Sequence, residues 1–182
     1  MKQKENIDSI TLGRLALGSE RALKQVIQQY NDDLLRYAFS LVKNRELAEE
    51  VVSDVFVNFW NQRTNVREIL HLRRYLVTSV RNKALSEISR KKPLLDGDKV
   101  DEEYLKYSDF RSLEDDWISK ELYHFIMRKI DDLPERCKEV LIMAKINGLK
   151  QKEIGDILSI SPKTVENTLA RALKKLHEMV EI

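Results

Sequence analysis

Four residues in the last third of this chain, Ser159-Ile160-Ser161-Pro162, separate two stretches of helical period and leave room only for a tight turn. Before them, Ile154 and Leu158 stand four apart and share one face of a helix. After them, Val165, Leu169, Ala172, Leu173 and Leu176 form a second apolar stripe at threes and fours. Ser161 suits the N-cap of the second helix, because its hydroxyl can accept a free backbone N–H. Pro162 suits the first helical position, where a missing N–H costs nothing. Gly155 lets the first helix lie close to the second. Ser159 stands where such turns often carry glycine, so the turn is expected to form without a residue of positive φ. The pattern is a helix-turn-helix.

If Val165 and Leu169 face inward, then Lys163, Thr164, Glu166, Asn167, Ala170 and Arg171 face outward near the start of the second helix. In this motif those positions meet base edges in the major groove. The side chains suit the task. Asn can pair with adenine, Arg with guanine, and Glu can accept from cytosine. Lys163 and Thr164 can hold phosphates. A plain helical hairpin with a solvated basic face has the same periodicity, so the rest of the chain must discriminate.

The chain has 182 residues with only 5 Gly and 3 Pro, a helix-rich balance with few turn formers. No segment approaches the roughly 20 apolar residues of a membrane span, and MKQKENIDSI has no apolar core of an export signal. Cys137 is the one cysteine, which excludes an intrachain disulfide and suits a cytoplasmic address. His71, His124 and His177 match no metal-ligand spacing. No Gly-rich phosphate loop or nucleophile–base pair is visible, so neither a cofactor nor an enzymatic activity is expected.

Charge divides the chain in three. Residues 1–92 carry 17 Lys/Arg against 11 Asp/Glu, a net of +6. Residues 93–119 carry 3 against 9, a net of −6, and residues 120–182 carry 12 against 10, a net of +2. In the first block, Ser19 caps a long helix with Ala22, Val26, Ile27, Tyr30, Leu34, Tyr37, Ala38 and Leu41 at threes and fours. ELAEEVVSDVFVNFW follows, apolar at Leu47, Val51, Val52, Val55, Phe59 and Trp60, with Glu46, Glu49, Glu50, Ser53, Asp54 and Asn58 opposite. HLRRYLVTSVRNKALSEISRKK then sets Arg73, Arg74, Arg81, Lys83, Arg90, Lys91 and Lys92 against one acid, Glu87. So dense a one-signed charge points to a nucleic-acid backbone, and Tyr75 offers a ring for base stacking. Two basic helices, one in each half, imply two-point contact with DNA.

The combination resembles the extracytoplasmic-function sigma factors of bacterial RNA polymerase. ELAEEVVSDVFVNFW resembles the family's polymerase-binding helix, although Glu50, Ser53 and Asp54 stand where Asp, Gln and Glu are usual. LRRYLVTSVRNKALSEISRKK resembles its −10 helix, with Asn82 at the characteristic Asn and Tyr75 where Trp is frequent. LPERCKEVLIMAKINGLKQKEIGDILSISPKTVENTLARALKKL resembles its −35-reading domain, and the likeness runs in order over about residues 10–178.

The resemblance implies an all-α chain of two small helical domains joined by a flexible acidic linker. Residues 1–92 would bind core RNA polymerase and the −10 element, 93–112 would be the linker, and 113–182 would read −35. Glu46, Glu50, Asp54 and Asn58 would meet the polymerase. Arg73, Arg74, Tyr75, Arg81, Asn82 and Lys83 would hold the −10 element, with one base flipped into a pocket formed with the loop Arg63–Leu70. Lys163, Thr164, Glu166, Asn167, Arg171 and Lys174 would read −35. Promoter DNA, core polymerase and an anti-sigma factor are the implied partners, without membrane insertion. The 20 residues 93–112 span roughly 65–70 Å extended. An alternative is a helix-turn-helix regulator that acts without joining polymerase, and its two-component form would require an α/β receiver. A helical adaptor that never touches DNA leaves both basic helices unexplained.

Overall fold

The computed structural model describes residues 7, 9–91 and 125–180, which fall in two compact units, 1–98 and 99–182. Among the described residues every regular element is helical, as the all-α reading expects. The acidic segment 93–112 and the apolar positions Leu113, Trp117 and Ile118 lie outside the described residues.

The first unit contains α1 (Ser9–Ala16), α2 (Glu20–Val42), α3 (Arg45–Asn61), a 3-10 segment (Arg63–Glu68) and α4 (Leu72–Lys91). Ser19 caps α2, its Oγ accepting the Ala22 N–H at 3.3 Å. Two residues carry the chain from α2 into α3. Lys43 adopts φ 54° and donates its N–H to Phe39 O, and Asn44 accepts the Leu47 N–H at 2.8 Å through its side chain. α2 packs against α3 and α4, α3 packs against α4, and α1 lies on the 3-10 segment. The core follows the predicted stripes, although Ile27, Leu41, Trp60 and Ile88 are only partly buried. Val26, Tyr30, Leu34 and Tyr37 of α2 meet Val51, Val55 and Phe59 of α3 and Leu76, Val80 and Ala84 of α4, all buried. Each large apolar side chain there contributes about 1.5–3 kcal/mol by leaving water. Residues 63–68, expected as loop, wind into 3-10 turns because Val66 is 1% exposed and pulls the segment onto the bundle.

In the second unit residues 125–131 are helical, followed by α5 (Glu135–Leu141), which continues as a π-turn (Ile142–Ile146), then α6 (Gln151–Leu158) and α7 (Pro162–Val180). Pro134 begins α5, as its missing N–H allows. The π-turn ends where Asn147 donates to Ile142 O at 2.9 Å and Leu149 to Met143 O at 3.0 Å around Gly148, whose φ is 63°. α5 and α6 both pack on α7, burying Cys137, Val140, Ile154, Leu158, Val165 and Ala172.

Two expectations need correction here. The turn does use a positive φ: Ser159 itself adopts φ 54°. Helix α6 closes in a left-handed cap whose Ser159 and Ile160 N–H groups both reach Gly155 O, so the cap itself demands the positive φ. The inward stripe of α7 is also rotated. Thr168 is buried, whereas Leu173 is 40% exposed. At 3.6 residues per turn Leu173 falls about 80° from Val165, while Ala172 falls nearly in line with it. Thr168 tolerates burial because its hydroxyl donates to Thr164 O at 2.8 Å.

Candidate nucleic-acid interface

The start of α7 is fixed by side-chain chemistry. Ser161 Oγ accepts the Thr164 N–H at 3.0 Å and shares a 2.8 Å hydrogen bond with the Thr164 hydroxyl. Gly155 lies directly beneath, where a Cβ would come 2.7 Å from Ile160 O. Arg136 of α5 donates to Leu158 O at 3.3 Å, capping the C-terminus of α6 from a neighbouring helix. The turn is therefore held from three sides, and α7 leaves it in a set direction.

On that helix Lys163, Thr164, Glu166, Asn167, Arg171 and Lys174 are all exposed, as the spacing predicts. Lys163 pairs with Glu166 at 2.9 Å, which orients the carboxylate, and Lys174 lies 3.9 Å from Glu178. Asn167 and Arg171, one turn apart, stand on the same outward face.

The second basic surface is α4. Arg73, Arg74 and Arg81 are half-buried and Asn82 is exposed. The Arg73 guanidinium lies 5.7 Å from the centroid of the Tyr30 ring, and burial pushes the Tyr30 hydroxyl pKa up against the opposing pull of Arg73. Tyr75 is seven residues before Asn82, so the two share one side of the helix. The Tyr75 ring packs at 6.0 Å from Phe59, tilted by 47°. It is braced by the core rather than standing free. The Lys83 ammonium is 2.7 Å from Asp54 on α3 and 3.2 Å from Glu87.

The acidic ridge of α3 follows the predicted line. Glu46, Glu50 and Asn58 are exposed, while Asp54 is half-buried and turned toward α4. Glu49 is held by Arg45 at 2.9 Å. Beside the ridge the sequence reading missed an apolar groove of about 410 Å³ between α2 and α3, walled by Leu23, Ile27, Leu35, Phe56, Val57 and Trp60. Ile27 and Trp60 read as core from their period. The available signal was Val57, 54% exposed, which interrupts the polar side of α3.

Among the described residues no group of three or more His, Cys, Asp or Glu is disposed to hold a metal, and no helix is long and apolar enough to cross a membrane.

Comparison with known proteins matches the two units to two parts of one family. Sigma-70 region 2 matches residues 26–93 and Sigma-70 region 4 matches residues 126–176. The chain is 25% identical over 170 residues to the ECF RNA polymerase sigma factor SigW of Bacillus subtilis, covering 90% of this chain and 91% of that one. It is 21% identical to the ECF RNA polymerase sigma-E factor of Escherichia coli K12, covering 96% and 94% of the two chains. Its fold is similar to that of CnrH in complex with the cytosolic domain of CnrY, with a TM-score of 0.64 at 22% identity over 97% of this chain and 98% of that one. It is also similar to the sigma factor RpoE in complex with the anti-sigma factor NepR from Bartonella quintana, with a TM-score of 0.61 at 19% identity over 87% and 98% of the two chains. With region 2 and region 4 present in order and relatives of one kind along nearly the whole length, the chain belongs to the extracytoplasmic-function sigma factors, subunits that bind core RNA polymerase and direct initiation at promoters through −10 and −35 elements.

Proposed function

We propose a division of labour among three helices: α3 docks core RNA polymerase, α4 holds the −10 element and α7 reads −35. The observation that carries this reading is the α7 face, where Glu166, Asn167 and Arg171 stand exposed behind a turn braced by Ser161, Gly155 and Arg136. Arg171 pairs with a guanine, Asn167 with an adenine, and Glu166 accepts from a cytosine. Lys163, Thr164 and Lys174 hold phosphates and set register.

On α4, Arg73, Arg74 and Arg81 neutralise phosphates. Tyr75 and Asn82 receive the unstacked base, with the 3-10 segment forming the wall of its pocket. Lys83 is left out of this set, since two carboxylates already hold its ammonium. On α3, Glu46, Glu50, Asp54 and Asn58 form the polar line of the docking surface, and the groove beside them accepts apolar side chains of the same partner. Residues 1–92, 93–112 and 113–182 serve as docking and −10 domain, tether and −35 domain. An anti-sigma factor that covers α3 would compete with the polymerase for this surface. The protein acts in the cytoplasm as an initiation factor without chemistry of its own.

Gel filtration of the chain with bacterial core polymerase, followed by transcription from a randomised promoter library, tests the reading. Co-elution with initiation at a shared −10 and −35 pair is expected. Sequence-specific binding of duplex DNA by the chain alone, without co-elution, would remove the docking assignment.

A further inference from the structure

Lys83 sits at the seam between α3 and α4, and its surroundings do not suit a phosphate contact. Its Nζ is 2.7 Å from Asp54 Oδ2 and 3.2 Å from Glu87 Oε1. Glu87 is buried, only 3% exposed, and takes Arg90 at 2.6 Å through its other oxygen. Asp54, Lys83, Glu87 and Arg90 thus alternate in sign and cancel. A phosphate approaching Lys83 would meet two carboxylates as near to the ammonium as the phosphate itself could come, and the resulting field is not attractive. Both carboxylates also push the Lys83 pKa up, the Asp54 hydrogen bond foremost, so the ammonium stays charged.

The same geometry has a use on the other helix. Glu87 is anchored in the core of the unit, so it fixes where the ammonium points. The ammonium in turn holds Asp54, whose side chain is 44% exposed and would otherwise sample several rotamers. We propose that Lys83 is a positioning residue for polymerase docking rather than a contact to promoter phosphate, reaching from α4 to set the Asp54 carboxylate on the α3 ridge. This rests on the reading that the α3 ridge is where core polymerase docks.

The test uses the full chain as wild type, Lys83→Met, Lys83→Arg, Asp54→Asn and the Asp54→Asn/Lys83→Met double variant. Affinity for bacterial core polymerase is measured for each. The salt dependence of holoenzyme binding is then measured on a promoter fragment selected from a randomised library by the wild-type holoenzyme. Lys83→Met is expected to weaken core binding about two- to fivefold, the scale of a partly exposed ion pair. Its salt slope should match wild type. Lys83→Arg should stay close to wild type in core affinity, because a guanidinium can bridge two carboxylates. The double variant should bind core no more weakly than Asp54→Asn alone, since Lys83 acts through Asp54. Glu87 keeps Arg90 in the Met variant, so the unit is expected to fold. If the melting transition nevertheless falls, Lys83→Gln, which retains a donor, is expected to show the same split.

Unchanged core affinity with a salt slope reduced by about 0.9 would make Lys83 a phosphate contact and overturn the proposal. Tighter core binding by Lys83→Met would overturn it too, because Lys83 would then be competing with the polymerase for Asp54. If Asp54→Asn binds core normally, the docking ridge is misplaced and both readings fall. If Asp54→Asn weakens binding while Lys83→Met does not, the ridge survives and only the role of Lys83 fails.

Discussion

A methyl group added to Gly155 would stand 2.7 Å from the carbonyl oxygen of Ile160 and 3.5 Å from the Pro162 nitrogen. Both neighbours are backbone, so no flexible side-chain end can move aside. Gly155→Ala is therefore expected to destabilise the second unit by about 1–3 kcal/mol. Urea unfolding of the full chain checks this, and an unchanged midpoint would mean that the turn opens without cost.

Ser159 bears the strain of the same turn, with a φ of 54° that a side chain disfavours. Glycine pays no such penalty there. Ser159→Gly should stabilise the second unit by about 1 kcal/mol, visible as a rise of a few degrees in its melting transition. Promoter preference should not change, because Ser159 precedes the outward face of α7. A lower transition would show that the serine hydroxyl matters more than the backbone.

Arg171 is exposed on the outward face of α7, and no ion pair among the described residues engages it. Arg171→Ala should cost about 1–3 kcal/mol of discrimination at one −35 position, the size of a bidentate contact to guanine. Competitive transcription on single-base variants of the selected promoter reads this out. An equal loss on every variant would demote Arg171 to a phosphate contact.

Glu50 lies one turn before Asp54 and is exposed on the α3 ridge. Glu50→Arg should weaken core polymerase binding about tenfold or more, as charge reversal at a complementary surface does. Its melting curve should overlay that of wild type, since Glu50 faces away from the buried Val51 and Val55. Normal binding by this variant would move the docking surface off the ridge.

Much of this was legible in the sequence because it is local. Ser19 and Ser161 read as caps, and both cap, because an N-cap needs only the next three residues. Most of the buried positions of α2, α3 and α4 follow from period. Features set by packing were not legible. Whether Leu173 or Thr168 faces inward depends on a rotation of α7 that five apolar positions could not resolve. The sign of φ at Ser159 follows from how near α6 comes to α7. The Asp54–Lys83 pair joins helices whose register against one another leaves no trace in either segment. The apolar groove was hidden for the opposite reason: Ile27 and Trp60 obey the core pattern and yet line an open wall.

Lys43 and Asn44 make the whole connection between α2 and α3, one closing a helix and the other opening the next. Such an elbow has no slack. An engineer who wished to split this protein, or to insert a reporter into its first unit, would have to avoid it, since one extra residue would unseat either the left-handed cap or the Asn44 hydrogen bond. The direction of α3, and with it the aim of Glu46 and Glu50, is in that sense machined into two residues rather than tuned by a loop.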